Sequence, residues 1–365
     1  MKIPREFLFV LLTCIALNAR AAEDFFYITG TNGIYRDSID TETGKLGTLV
    51  VASPTKNTNF LALSQDDKFL YATLNNAVAS FAVGADGSLK ELNEQPSGGE
   101  GPCHVSLDGT GRDIFVSNYQ GGCLACLQLK PDGTVGERTA LIPFTGSGPD
   151  VKRQMKPHSH AAYTDPENKF VYACDLGTDH VWIFKLDASQ GTLTPANPPF
   201  ASVPPGSGPR HLAFYRDGQI VYVASEMGHT VTAFNRDAAS GALTAFQNIS
   251  TLPPGTSPEG VTTAEIVCHP SGNWLYVSNR GCDTMSVFSI RPNGSLNLIE
   301  SVSSVAHFPR NFTLDPTGKW LIAAGQKDNR FAVLKIDPAT GWLTATDQAA
   351  SVPNPMCVLF STGNK

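Results

Sequence analysis

A short hairpin motif recurs along nearly the whole chain and limits the fold more than any other feature. Its clearest copy, G-P-R-H-L-A-F-Y-R-D-G-Q-I-V-Y-V-A-S-E, occupies residues 208–226. Residues 211–215 and 219–225 read as two strands, and Arg216-Asp217-Gly218 between them reads as a tight turn in which Gly takes the positive φ. The second strand aligns with Phe25-Phe26-Tyr27, Phe69-Leu70-Tyr71, Ile114-Phe115-Val116, Phe170-Val171-Tyr172, Trp274-Leu275-Tyr276 and Trp320-Leu321-Ile322, making seven copies 44 to 56 residues apart. A second marker, a Gly two positions before Leu or Val, keeps the same count and phase at Gly44, Gly87, Gly133, Gly191, Gly241, Gly294 and Gly341. Such a period, with four short strands per unit, is the signature of blades packed face to face around a central channel. The expected fold is all-β, a seven-bladed β-propeller.

The ends of the chain indicate how the ring closes. First strands precede the marker at residues 60–64, 104–107, 160–163, 211–215, 265–269 and 311–314, but none precedes Phe25. The missing strand is residues 356–361, after Pro353-Asn354-Pro355, so the C-terminal strand should complete the N-terminal blade and remove the open edges. Residues 23–365 are thus expected to form a single domain. Plentiful Gly and Pro (33 and 25) and no long apolar pattern of helical period agree with short strands and turns. A formal charge of −6 without clustered Lys and Arg argues against a nucleic-acid partner and leaves a small molecule.

Residues 1–22 read as a secretory signal peptide: Lys2 and Arg5, an apolar run over residues 7–17, then Ala19-Arg20-Ala21 as a cleavage pattern. The mature protein is therefore expected to be exported, periplasmic or secreted, with no membrane span. Thr13 before Cys14 is bulky for a lipid-attachment box. Removal of the signal leaves Cys103, Cys123, Cys126, Cys174, Cys268, Cys282 and Cys357, an odd set with at least one free thiol and room for one or two disulfides. Cys123 and Cys126 stand three apart in a strand-like run, on opposite faces, which argues against a metal or redox pair.

In an antiparallel hairpin the residue before the first strand finishes beside the residue after the second, so Arg210 should meet Glu226. Applied to every blade, the same rule collects His104, His158, His160, Arg210, Glu265 and Arg310 from strand starts, and Asn118, Asp175, Glu226, Arg280 and Gln326 from strand ends, at one mouth. Guanidinium groups there suit an anionic or carbonyl ligand, and histidine can move a proton near neutral pH. The plainer readings are a structural Arg210–Glu226 ion pair and hydrogen-bonding roles for His104 and His211. His158 and His160 share a strand face but lack a third ligand at metal spacing, so no metal and no cofactor are expected.

The runs P-H-S-H-A-A-Y-T-D-P-E-N-K-F-V-Y-A-C-D-L-G-T-D, G-P-R-H-L-A-F, A-S-E-M, L-Y-V-S-N-R-G and F-P-R-N-F-T-L-D-P-T-G, spread over nearly all of the mature chain, resemble the lactonase family of seven-bladed propellers. That family includes propeller-type 6-phosphogluconolactonases and 3-carboxy-cis,cis-muconate lactonizing enzymes. The resemblance implies metal-independent lactone hydrolysis, with His160, Arg210, Glu226 and Arg280 as catalytic residues. His160 would act as base or acid, Glu226 would orient a neighbour or share the proton work, and the two arginines would hold an anion and the oxyanion. Substrate binding would fall to His158, Asn118, Asp175, Arg310 and Gln326. Calcium-dependent lactonase propellers use rings of oxygen ligands, and this arginine-rich mouth points away from them. The export signal departs from a cytoplasmic sugar-phosphate enzyme and leaves open an unphosphorylated lactone. Two rival readings are a lactone-forming cycloisomerase and a non-catalytic binding propeller, since L-Y-V-S-N with the following S-V-F also resembles surface-layer and WD-like repeats.

Overall fold

The computed structural model describes residues 23–361, which form 28 strands in seven four-stranded antiparallel sheets and no helix. This is a seven-bladed β-propeller. The secretory signal expected at residues 1–22 lies outside the described residues. The innermost strands of blades 2 to 7 are Leu61–Leu63, Pro102–Leu107, Ser159–Thr164, Pro209–Tyr215, Thr262–Cys268 and Pro309–Leu314. Blade 1 takes its innermost strand, Val358–Phe360, from the far end of the chain, paired with Glu23–Gly30 as Phe26↔Phe360, Tyr27↔Leu359 and Ile28↔Val358. The ring closes as the strand count requires.

At five of the seven blade seams the two sequence markers turn out to be the two sides of the seam, whereas Gly87 lies against Arg36 rather than Phe25. All seven marker glycines have positive φ, from 61° to 82°. A Cβ at Gly44, Gly133, Gly241, Gly294 or Gly341 would fall within 2.6 Å of Trp320, Phe69, Phe170, Ile220 or Trp274 of the preceding blade. Only glycine satisfies both the backbone and that approach. Tyrosines two residues further along lock the same seams: Tyr27, Tyr172, Tyr222 and Tyr276 donate to the carbonyls of Gly87, Gly241, Gly294 and Gly341 at 2.7–3.0 Å. Apolar clusters such as Tyr172, Val181, Leu212, Val223 and Phe234 fill the space between blades.

Three local expectations need correction. In blade 3 the marker slips by one residue: Asp113, not Ile114, lies against the next blade's Gly191, whose added Cβ would meet its Oδ1 at 2.6 Å. Phe115 then occupies the tyrosine's place, and Thr139 Oγ1 makes the seam bond to the Gly191 carbonyl at 2.6 Å instead. In the turn at 216–218, Arg216 (φ 52°) and Asp217 (φ 52°) are left-handed as well as Gly218 (φ 81°). No disulfide joins the described cysteines, since all seven are free thiols, mostly buried within blades or seams.

Candidate active site

The side chains at the mouth are aimed by one repeated irregularity. In blades 3, 4, 5 and 7 the innermost strand carries an extra, unpaired residue near its start: Pro102 and His104 pair with Asn118 and Ser117, Ser159 and Ala161 with Asp175 and Cys174, Pro209 and His211 with Ser225 and Ala224, Pro309 and Asn311 with Gly325 and Ala324. The bulged residues are Cys103, His160, Arg210 and Arg310. A bulge turns one side chain away from the alternation of its strand. Here it separates an upper layer, the bulged residues, from a deeper layer formed by the next residues, His104, His211 and Asn311.

The upper layer opens on a cavity of about 570 Å³ lined by His160, Glu226, Arg280 and Arg310 together with Cys103, Tyr119, Arg153 and a wall from Thr58, Asn59 and Met356. Glu226 is its electrostatic centre. Its Oε1 lies 2.8 Å from Arg153 Nη2, and its Oε2 lies 2.9 Å from Arg280 Nη2 and 3.2 Å from Arg210 Nε. The Arg210 contact has ion-pair distance without hydrogen-bond alignment, and Arg210 donates squarely to the Ala264 carbonyl at 2.8 Å. Burial alone would raise the Glu226 pKa, but Arg280, Arg210 and Arg153 outweigh it and hold the carboxyl at about 2. Arg310 lines the cavity with no carboxylate at ion-pair distance among the described residues. Burial, and then Arg280, depress its pKa.

His160 is buried, with Nδ1 sealed from solvent and without a hydrogen-bond partner. Burial first, then Arg210, His211, Arg310 and Arg280, hold its pKa well below the ordinary imidazole value, so the ring is neutral at physiological pH. Its backbone is pinned from the neighbouring blade, where Cys103 Sγ donates to the His160 carbonyl at 3.2 Å. Burial pushes that thiol up to about 11, so it is no thiolate nucleophile. In the deeper layer His211 Nδ1 meets Glu265 Oε1 at 2.8 Å, and Asn311 Nδ2 donates to Glu265 Oε2 at 2.6 Å. His211 therefore has the convergent partner that the sequence does not reveal.

The structure keeps five of the expected site residues away from the cavity lining. Asn118 and Asp175 pair with Pro102 and Ser159, the register place of Ser225, so the counterpart of Glu226 in blade 3 is the following residue, Tyr119. A shift of one residue reverses the face of a strand. Asn118 turns into a seam, 3.3 Å from the Ser97 carbonyl, and Asp175 clamps a loop by accepting from His158 N, Gly177 N and Thr178 Oγ1 at 2.7–3.0 Å. His158 stacks on Tyr119 with ring centres 4.4 Å apart, while the bulge carries His160 into the channel, so the two imidazoles do not converge. Gln326 backs the wall through Met356 Sδ at 3.0 Å. Arg210 sits behind Glu226 rather than on the surface of the cavity. Among the described residues no group of three or more His, Cys, Asp or Glu is placed to hold a metal.

One lining residue escapes the repeat altogether. Arg153 belongs to the insertion between blades 3 and 4, where the copies are furthest apart. Asp150 caps its turn through Lys152 N and Arg153 N, and buried Gln154 anchors it to Leu176 O and Asp179 Oδ1, each at 2.8 Å. Arg153 Nη2 then reaches Tyr119 Oη at 3.0 Å as well as Glu226. The long spacing between the third and fourth copies is the one sequence signal for it.

A closed ring with a polar, arginine-rich mouth over neutral buried imidazoles defines a propeller of the small-molecule-processing kind. The chain belongs to the lactonase family of seven-bladed β-propellers, whose model matches residues 25–360. It is 33% identical to a 6-phosphogluconolactonase of Bacillus subtilis (strain 168), over 91% of this chain and 95% of that one, and 32% identical to another of Formosa agariphila, over 87% and 92%. Among solved structures it resembles a putative 6-phosphogluconolactonase of Bacteroides fragilis (TM-score 0.87, 32% identity, 93% and 98% coverage). A periplasmic gluconolactonase of Pseudomonas aeruginosa is similar too (TM-score 0.86, 26% identity, 93% and 99% coverage).

Proposed function

We propose that this protein hydrolyses an anionic sugar-type lactone at the cavity above His160, with 6-phosphogluconolactone the first candidate. The observation that carries this reading is the charge balance of the mouth. Arg153, Arg210 and Arg280 share the single carboxylate of Glu226, and Arg310 has none among the described residues, so the site is strongly positive before a ligand enters. A phosphate or carboxylate on the substrate supplies the missing charge.

His160, neutral and lining the cavity, takes a proton from water as the water oxygen bonds to the lactone carbonyl. Arg280 and Arg310 face the developing oxyanion and the anionic substituent. Collapse of the tetrahedral species breaks the ring C–O bond, and His160 returns the proton to the leaving alkoxide. Glu226 stays ionised and orients the guanidiniums rather than handling protons. The signal read at residues 1–22, and the periplasmic neighbour, support export of the mature chain; N-terminal sequencing of the periplasmic or secreted fraction tests that point.

The test is proton release by purified protein against paired lactones with and without an anionic group, 6-phosphoglucono-1,5-lactone and glucono-1,5-lactone among them. Saturable turnover favouring the anionic member is expected. Turnover of neither kind across the panel contradicts a lactonase, and equal use of both contradicts the charge assignment.

A further inference from the structure

We propose that His211 and Glu265 form with His160 a buried line of proton-sharing groups, in which His211 is a positioning residue for the base. The inference rests on the lactonase reading of His160. Glu265 is fixed from three sides: by Asn311 Nδ2 at 2.6 Å, by the backbone N–H of Ile266 at 3.0 Å and by His211 Nδ1 at 2.8 Å. A carboxylate held in this way selects the tautomer in which His211 Nδ1 carries the hydrogen and donates it, leaving the Nε2 lone pair free. His211 Nε2 is buried and has no partner, and so is His160 Nδ1 in the adjoining ring. The two ring centres are 5.1 Å apart, a separation at which the two orphaned nitrogens come into hydrogen-bond reach once the His160 ring turns its Nδ1 toward His211. The line then runs Glu265, His211, His160, with His160 Nε2 directed to the cavity as the basic atom.

The layering of the bulges produces this arrangement. His160 is the bulged residue of blade 4, whereas His211 follows the bulged Arg210 of blade 5 and lies one layer deeper, and Glu265 comes from blade 6. When His160 Nε2 accepts the proton of the attacking water, its Nδ1–H shifts toward His211 Nε2 and the positive charge spreads toward Glu265. The proton returns by the same route to the alkoxide, so the groups end as they began. The other charged and titratable groups on these rings are Arg210, Arg280 and Arg310 facing His160, with Tyr119 edge-on to it at 5.6 Å between centres, Arg210 and Arg310 facing His211, and His104 and Tyr163 with centres 5.3 and 6.3 Å from His211. The arginines stay charged and Tyr119, Tyr163 and His104 stay neutral near pH 7, which leaves Glu265 as the group that sets the basicity of the line.

The test is Glu265→Gln, which keeps the shape and one acceptor oxygen, assayed with 6-phosphoglucono-1,5-lactone and read by imidazole ¹⁵N NMR on the full mature chain. Expected are a kcat lower by about tenfold or more with KM nearly unchanged, an acid limb of kcat/KM moved to lower pH, and partial recovery in Glu265→Asp. In the NMR spectrum, replacing Glu265 shifts the nitrogens of His160 as well as those of His211. An unmoved pH profile together with unmoved His160 nitrogens overturns the line, even if Glu265→Gln melts lower. If His160→Ala keeps full activity, the lactonase reading of His160 fails instead, and the two failures are told apart.

Discussion

At the scale of single side chains the mouth is governed by charge. Glu226 is buried among three guanidiniums, and removing its charge leaves them without a counter-ion in a desolvated setting. Glu226→Gln is expected to destabilise the protein by about 3–5 kcal/mol, measured by urea unfolding. The pH dependence has a definite sign. Folding lowers this carboxyl from 4.5 to about 2, so its contribution is complete above about pH 4.5 and is lost as pH falls toward 2. Glu226→Gln should therefore flatten that acid limb of the stability curve, and a limb unchanged by the substitution would contradict the assignment. Arg310 has no ionic partner among the described residues to lose. Arg310→Gln is expected to raise KM for a phosphorylated lactone by roughly ten- to a hundredfold while leaving the melting temperature unchanged or higher. His160, Glu226, Arg280 and Arg310 were legible in the sequence because strand ends point to a mouth. Tyr119 and Arg153 were not, the first because a one-residue phase decides which strand-end side chain faces the cavity, the second because an insertion has no repeat to align it.

At the scale of the hairpin, a bulge decides which residue reaches the cavity. Repeat spacing shows where a strand begins but not that Cys103, His160, Arg210 and Arg310 are unpaired extras, and so it cannot separate the two layers of the channel. The seams were more legible, since glycine and its aromatic neighbour are both written in the repeat. Blade 3 departs from this pattern and yields a prediction. Asp113 replaces an aromatic side chain at the seam, with both carboxyl oxygens buried and unpartnered. Burial, reinforced by Asp108, raises its pKa from 3.8 to about 7. The native state then holds a proton that the unfolded chain has released, so stability falls as pH rises from about 4 to 7 and is level above that window. Asp113→Asn should remove the fall and melt a few degrees higher at pH 8, roughly 2–5 °C by calorimetry. A variant that melts lower at every pH would show that the carboxyl is satisfied in a way the seam does not reveal.

At the scale of the whole molecule the ring is closed by three paired residues from the far end of the chain, with Phe360 packed on Phe26 at 5.3 Å between ring centres. Deleting residues 356–365 uncovers the edge of Glu23–Gly30 and the apolar faces of Cys357, Val358 and Phe360. The expected loss is of order 10 °C in melting temperature together with a tendency to associate through the freed edge, both visible by calorimetry and light scattering. Closure also gathers the site, because His160, Glu226, Arg280 and Arg310 come from four successive blades and meet only in the finished ring. The number of blades and the closing strand were legible in the sequence because they depend on counting, whereas the distances across the mouth depend on the completed circle. The most direct measurement is the rate of proton release from 6-phosphoglucono-1,5-lactone by the wild-type protein and by His160→Ala, each shown to be folded by its melting curve. Turnover by the wild type with a loss of about a hundredfold or more in the variant is expected. Equal rates from two equally stable proteins would contradict catalysis at this mouth.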